Sequence, residues 1–155
     1  FVLRFYVPNS IMKENMESLS RRPGKLVQHG PHHDYWQNVA LNAVNIWMAI
    51  EDVDEGNGMV VYEKRFGRIS PRGHDHIRDD QAAGRPVRLP CKAGDVILFH
   101  SQHLHGGVLN RTSETRVAVT TRFTVERPLH PRLGGRLNYA SAAAIKSGSG
   151  FRKRL

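Results

Sequence analysis

The chain has 155 residues, 39% of them apolar and 24% charged, which suits one ordinary globular domain and excludes a chain disordered throughout. The formal net charge is +9, but residues 127–155 carry seven basic side chains and no Asp or Glu, leaving +2 for residues 1–126. One cysteine, Cys91, excludes an internal disulfide and a Cys-rich zinc site, and no apolar run approaches the ~18 residues that a membrane span needs.

Phe1 to Val7 alternates loosely and is rich in β-formers, so it is predicted to be a strand. The chain opens in this strand-like stretch on Phe1 rather than Met, so further upstream sequence is expected; no secretory leader pattern is visible. Asn9 to Pro23 spaces Met12, Met16 and Leu19 as a helix would, then stops at Arg-Arg-Pro-Gly, so it reads as a short helix or a flap. Lys25 to His29 reads as a strand leading into "GPHHDYWQN", residues 30–38. Ala43 to Ile50 reads as a buried strand, Asp52 to Gly58 as a turn and Met59 to Glu63 as the next strand. Residues 67–86 lack apolar periodicity and are expected to form a long loop. Val87 to Pro90, Val96 to His100 and Arg116 to Val125 complete the predicted strands, and "ASAAAIKSGSG" near the end suits a brief helix. Many short strands separated by turn signals point to an all-β sandwich or barrel. Residues 1–126 are expected to form its core, with 127–155 a basic extension of the same domain.

The chemistry-bearing residues are the nine histidines. There is no G-x-S-x-G elbow, no G-x-x-x-x-G-K-[ST] phosphate loop and no H-E-x-x-H helix. Cys91 sits between a proline and a turn and is expected to be an inert thiol. What remains is His32-x-Asp34 early in the chain and "FHSQHLHGG", residues 99–107, late. Two imidazoles and one carboxylate can cap one face of an iron(II) ion and leave its other positions open, although the same donors suit zinc or manganese. In an extended segment residues i and i+2 project to one side, so His32 and Asp34 could reach one ion while His33 points away. The third ligand must come from elsewhere, and His103 and His105 would share a face of an extended strand. His74 and His76, in "GHDHIRDD", are read as part of a polar lid.

"HHDYW", "NIWMAIEDVDEGNG" and "AGDVILFHSQHLHGGVLNRTSETR", in this order, resemble the phytanoyl-CoA dioxygenase family over roughly residues 25–125. The resemblance implies a double-stranded β-helix, a jelly-roll relative of the cupins, with minor helical or loop segments. It implies an iron(II)- and 2-oxoglutarate-dependent dioxygenase that uses O2, releases succinate and CO2, and hydroxylates an unactivated C–H of a small molecule. His32, Asp34 and His105 match the metal ligands, the spacing to Arg116 favouring His105 over His103. Arg116, eleven residues after His105, matches the arginine that grips the far carboxylate of 2-oxoglutarate, and Trp47 matches an aromatic near that co-substrate. Halogenating relatives lack the carboxylate ligand, so Asp34 favours hydroxylation; desaturation, cyclisation or epimerisation use the same ligands and stay open, as does a non-redox, metal-binding cupin-like protein.

The sequence departs from the family pattern in places. Gly107 stands where relatives often carry a small hydroxyl residue, Ala118 where some place another hydroxyl, and "EKRFG" at 63–67 replaces a usual "PGSH". The substrate is expected to be a small molecule, with an anionic, CoA-linked or carrier-linked one favoured mildly by the basic balance. The tail reads as a solvated end or an anion-contacting surface; its basic residues are not interleaved with aromatics beyond Tyr139 and Phe151, so nucleic-acid binding is not expected. A reducing, cytoplasmic setting is expected from the single cysteine.

Overall fold

The computed structural model describes residues 1–15, 30–37, 39–63, 66–67, 84–130, 139 and 141–146. Seven strands form two antiparallel sheets: β1 (Val2–Tyr6), β2 (Val44–Ala49), β3 (Met59–Tyr62), β4 (Pro86–Leu89), β5 (Val96–His100), β6 (His105–Gly107) and β7 (Arg116–Phe123). One sheet has the order β1-β7-β2-β5, the other β4-β3-β6. The helices are short, α1 (Asn9–Glu14) and α2 (Ala142–Lys146), with a 3₁₀ turn at Asp34–Gln37. This is the expected all-β double-stranded β-helix. No helix among the described residues is long and apolar enough to cross a membrane.

Six of the seven strands lie within a residue or two of expectation, and β6 is a strand the sequence did not predict. The predicted 87–90 strand begins one residue earlier, at Pro86, a residue without an N–H that is tolerated at the start of this edge strand. The helix in the predicted 9–23 segment covers Asn9–Glu14, while Met16, Leu19 and the proposed 25–29 strand lie outside the described residues. So do His74 and His76 and most of the basic tail.

Trp47, Ala49 and Ala118 from the larger sheet pack with Met59 of the smaller one and with Val53, and Ile97, Phe99 and Val61 lean on that cluster. The core therefore lies between the sheets. Register decides what faces it. Pairing Ala49 with Ala118 and Trp47 with Thr120 across β2–β7, and Tyr6 with Arg116 across β1–β7, puts Tyr6, Asn45, Trp47, Arg116, Thr120 and Arg122 on the inner face. Turns hold the register. Gly94 takes φ 89°, a left-handed conformation glycine adopts without strain, while its N–H bonds Ala49 O at 2.9 Å and Asp95 caps the Lys92 N–H at 2.8 Å.

The start of the basic segment is docked on the core. Leu41 N–H donates to Leu129 O at 2.7 Å, Asn42 brackets Arg127 and Leu129, and Tyr139 packs on Val39, Ala40 and Ala43. Cys91 is half-buried with its thiol against Leu89 O at 3.5 Å, and burial raises its pKa, which suits the inert role expected of it.

Candidate metal centre

His32 and His105 belong to different parts of the chain but form a single antiparallel bridge: His32 N–H donates to His105 O at 2.8 Å, and His105 N–H to His32 O at 3.1 Å. Their rings lie 4.4 Å apart. Asp34 does not continue an extended segment, as the i, i+2 reasoning supposed. It opens the 3₁₀ turn, with its N–H bonded to Ser101 O at 3.1 Å and the turn closed by Trp36 N–H to His33 O. The carboxylate converges all the same: Asp34 Oδ1 is 3.4 Å from His32 Nε2 and 3.6 Å from His105 Nε2. All three ligand atoms lie within 4.8 Å of one another, and all three residues are buried.

The backbone sets the state of each imidazole. His32 Nδ1 lies 2.8 Å from Gly30 O, and His105 Nδ1 lies 2.9 Å from His103 O. A carbonyl only accepts, so both Nδ1 atoms carry a proton and both Nε2 atoms turn toward Asp34. That is the tautomer a metal ligand needs, oriented by a hydrogen bond behind it. Burial, with the charge of His32, pushes the His105 pKa down to about 3, so the ring is neutral at pH 7. Burial alone would raise the Asp34 pKa, but its bond to His32 and the charges of His105, His32 and Arg122 outweigh that and hold it below the usual carboxylate range. A buried carboxylate facing the Nε2 atoms of two imidazoles suits a cation at their centre.

The neighbouring histidines face elsewhere. His33 is fully buried, its Nδ1 2.9 Å from Gln102 O and its ring stacked on Tyr35 and set edge-on to Trp36. It is a packing residue behind the centre, and Trp36 continues that packing onto Leu104. His103 does not share a strand face with His105, because residues 101–103 turn and β6 starts only at His105. His103 contributes its carbonyl to His105, while its ring and that of His100 lie edge-on to Phe66.

Arg116 lies along the same pocket as the triad, only 2% exposed. Its Nε donates to Asn57 O at 3.0 Å, and its Cζ sits 3.7 Å from the centroid of the Tyr6 ring and 5.3 Å from that of Trp47. Its Nη1 is buried with no hydrogen-bond partner. Burial lowers its pKa from the usual arginine value, yet an arginine stays charged. A buried cation with an unused N–H donor beside an apolar wall asks for an anion. Trp47 is both pocket wall and core, 5% exposed.

The sequence model of the phytanoyl-CoA dioxygenase (PhyH) family matches residues 5–118. The chain belongs to that family. No curated protein matches it by sequence. Among solved structures it is similar to the non-heme alpha-ketoglutarate-dependent carbocyclase SnoK from nogalamycin biosynthesis, at 20% identity and TM-score 0.54 over 77% of this chain and 47% of that one. It is similar to the epimerase SnoN of the same biosynthesis, at 20% identity and TM-score 0.55 over 77% of this chain and 45% of that one. It also resembles AviO1 from Streptomyces viridochromogenes Tue57, at 14% identity and TM-score 0.54 over 81% of this chain and 49% of that one. At these identities the likeness is one of fold, and the chain spans about half the length of these structures.

Sequence reasoning passed over several pocket residues. Asn45 is 4% exposed, lines the pocket, and its Nδ2 has no partner. Tyr6, Arg4 and Arg122 line the pocket too, and among the described residues that line it Asp34 is the only acid. Alternation placed Arg4 with Tyr6 and Arg116 with Arg122 on common faces, but only sheet pairing shows that those faces point inward. Of the two threonines that follow Arg116 on β7, Thr120 lines the pocket and Thr121 is exposed.

Proposed function

We propose that this PhyH-family chain is the catalytic core of an Fe(II)- and 2-oxoglutarate-dependent dioxygenase that hydroxylates an unactivated C–H of a small molecule. His32, Asp34 and His105 would hold the iron, Arg116 the far carboxylate of 2-oxoglutarate, and Trp47 would wall that co-substrate. The observation that carries this is the opening of two complementary features into one pocket: a buried His-Asp-His cluster with its ligand atoms converging, and a buried guanidinium with Nη1 unpaired. A short dianion with a metal-chelating keto acid at one end and a carboxylate at the other satisfies both. The unpaired Asn45 Nδ2 supplies a further donor on the same face. The solved structure of SnoN with Fe3+ and alpha-ketoglutarate shows that this fold accepts both groups, at TM-score 0.51 and 18% identity.

Bound iron would supply oxygen activation coupled to decarboxylation of 2-oxoglutarate to succinate and CO2. The chain's own part is to set the two imidazole tautomers, keep Asp34 ionised, fix the guanidinium plane between Tyr6 and Trp47, and exclude water around both. Asp34 keeps a carboxylate in the ligand set, which favours hydroxylation; product analysis separates this from desaturation, cyclisation or epimerisation. Arg4 and Arg122 line the pocket, with Asp34 the only acid among the described lining residues, which supports an anionic substrate, free or CoA- or carrier-linked. The same proposal takes residues 1–126 as the core, 127–155 as its basic extension, and a reducing, cytoplasmic setting that suits iron(II) and a free Cys91.

The test is an anaerobic titration of the protein with Fe(II) and 2-oxoglutarate, followed by a screen for substrate-stimulated succinate release. Absence of 2-oxoglutarate binding in the presence of Fe(II) rejects the proposal. His32→Ala, Asp34→Ala and His105→Ala are each expected to abolish turnover, and an active Asp34→Ala enzyme would overturn the ligand assignment.

A further inference from the structure

Arg116 cannot offer its full fork to a ligand. Its Nε is committed to Asn57 O at 3.0 Å, so the side-on Nε/Nη grip on a carboxylate is closed and only the Nη end remains. The Tyr6 ring covers one face of that guanidinium at 3.7 Å, because Tyr6 and Arg116 are register partners across β1–β7. Tyr6 also fills the space beside Gly107. A Cβ built at 107 would lie 2.9 Å from the Tyr6 hydroxyl oxygen and 3.0 Å from Cζ, and closer still to Cε1. Three strands thus meet at one point: β1 brings a phenol, β7 a guanidinium, and β6 a residue with no side chain, two positions after His105. Tyr6, Gly107 and Arg116 all border the pocket that holds the His-Asp-His cluster.

We propose that Tyr6 is a co-substrate-binding residue whose hydroxyl donates a hydrogen bond to the same carboxylate that Arg116 pairs with, and that Gly107 is the space that admits it. This rests on the reading of the pocket as a 2-oxoglutarate site. A carboxylate has two oxygens and about four acceptor positions, more than the Nη end alone engages, and the phenol is the neutral donor adjoining that end. Pairing a large residue on β1 with glycine on β6 also ties the position of the donor to the strand that carries His105. The distance from metal to anion site is then set by strand pairing rather than by a mobile side chain.

The decisive variant is Tyr6→Phe, which keeps the ring on Arg116 and removes only the hydroxyl. Calorimetric titration of the Fe(II)-loaded, oxygen-free protein is expected to show 2-oxoglutarate binding weakened about tenfold or more, as for loss of a hydrogen bond to a charged group. Binding of 2-oxopentanoate, which has the same chain length but lacks the far carboxylate, should be the same in parent and variant. Fe(II) affinity and melting temperature should also match the parent. Gly107→Ala, which forces Tyr6 off Arg116, should weaken 2-oxoglutarate binding in the same selective way. If Tyr6→Phe binds 2-oxoglutarate as tightly as the parent, or loses the same factor for both acids, Tyr6 is only packing and the inference is overturned. If the parent itself binds no 2-oxoglutarate, the functional reading fails, and the inference falls with it.

Discussion

His105 is buried as a neutral ring, and this ties stability to pH. Its pKa is pushed down to about 3, whereas a histidine in the unfolded chain titrates near the ordinary 6.5. Between those values the unfolded chain binds a proton that the folded chain refuses, so stability is fully present above pH 6.5 and is lost as pH falls. Asp34, held below the usual carboxylate range, adds a loss of the same sign at lower pH, because its contribution is present only while the unfolded carboxyl is ionised. The metal-free protein should therefore melt roughly 5 °C or more lower at pH 4.5 than at pH 7. A melting temperature that is flat or rises on acidification would contradict the buried, neutral state of His105. The residue scale is also where the sequence was most legible. Histidine and aspartate at positions 32, 34 and 105 stand out by type, and the structure brings the three side chains the sequence singled out within 4.8 Å of one another. Tyr6 and Asn45 were not legible, because a tyrosine or asparagine in a strand carries no mark of the pocket it faces.

The element that brings the His-Asp-His cluster and the buried Arg116 guanidinium into one pocket is the 108–115 connection between β6 and β7. Asn110 organises it from a fully buried position. Its Nδ2 donates to Tyr6 O at 2.6 Å and Glu114 O at 2.7 Å, its Oδ1 accepts from Thr112 N–H and Oγ1, and its carbonyl takes the Asn9 N–H at 2.8 Å. One side chain thus ties the end of β1 to the turn that delivers Arg116. Asn110→Ala is expected to destabilise the fold by about 1–3 kcal/mol, because buried carbonyls lose their donors. It should also weaken 2-oxoglutarate binding through the misplaced Tyr6–Arg116 pair. A urea midpoint unchanged from the parent would show that the connection holds without it. Element prediction failed where tertiary contacts rule. β6 is three residues, His-Gly-Gly, too short for any periodicity to register, and it exists because Met59 to Val61 pair with it. Asp34 turns into a 3₁₀ segment, with His33 Nδ1 held by Gln102 O and the Asp34 N–H by Ser101 O; neither carbonyl is nearby in sequence.

Across the whole molecule the usual sense of the strand pattern is reversed in the larger sheet. In β2 the inward residues are Asn45, Trp47 and Ala49, while Val44, Ile46 and Met48 point outward; in β7 Arg116, Ala118, Thr120 and Arg122 face in, and Val117, Val119 and Phe123 face out. In these two strands the more apolar face is the outer one, because the inner face is given over to the pocket. Alternation therefore revealed the strands but would assign their faces the wrong way round, since hydrophobicity alone cannot tell a core from a covered surface. The outer face carries Leu3, Phe5, Val96, Leu98 and Phe123, each more than 40% exposed, an apolar patch larger than isolated surface hydrophobes would make. Neighbouring positions of β5 test this orientation directly. Leu98 pairs with Ile46 on the outside and is 61% exposed, whereas Ile97 pairs with Trp47 and leans on the buried cluster. Leu98→Lys should change stability by no more than about 0.5 kcal/mol, leave 2-oxoglutarate affinity unchanged, and raise solubility by interrupting the patch. Ile97→Lys places an unpaired ammonium against Trp47 and should cost several kcal/mol or abolish folding. Denaturant unfolding of the two variants side by side decides the matter, because equal losses, or a larger loss at Leu98, would mean that the sheet presents its other face to the core.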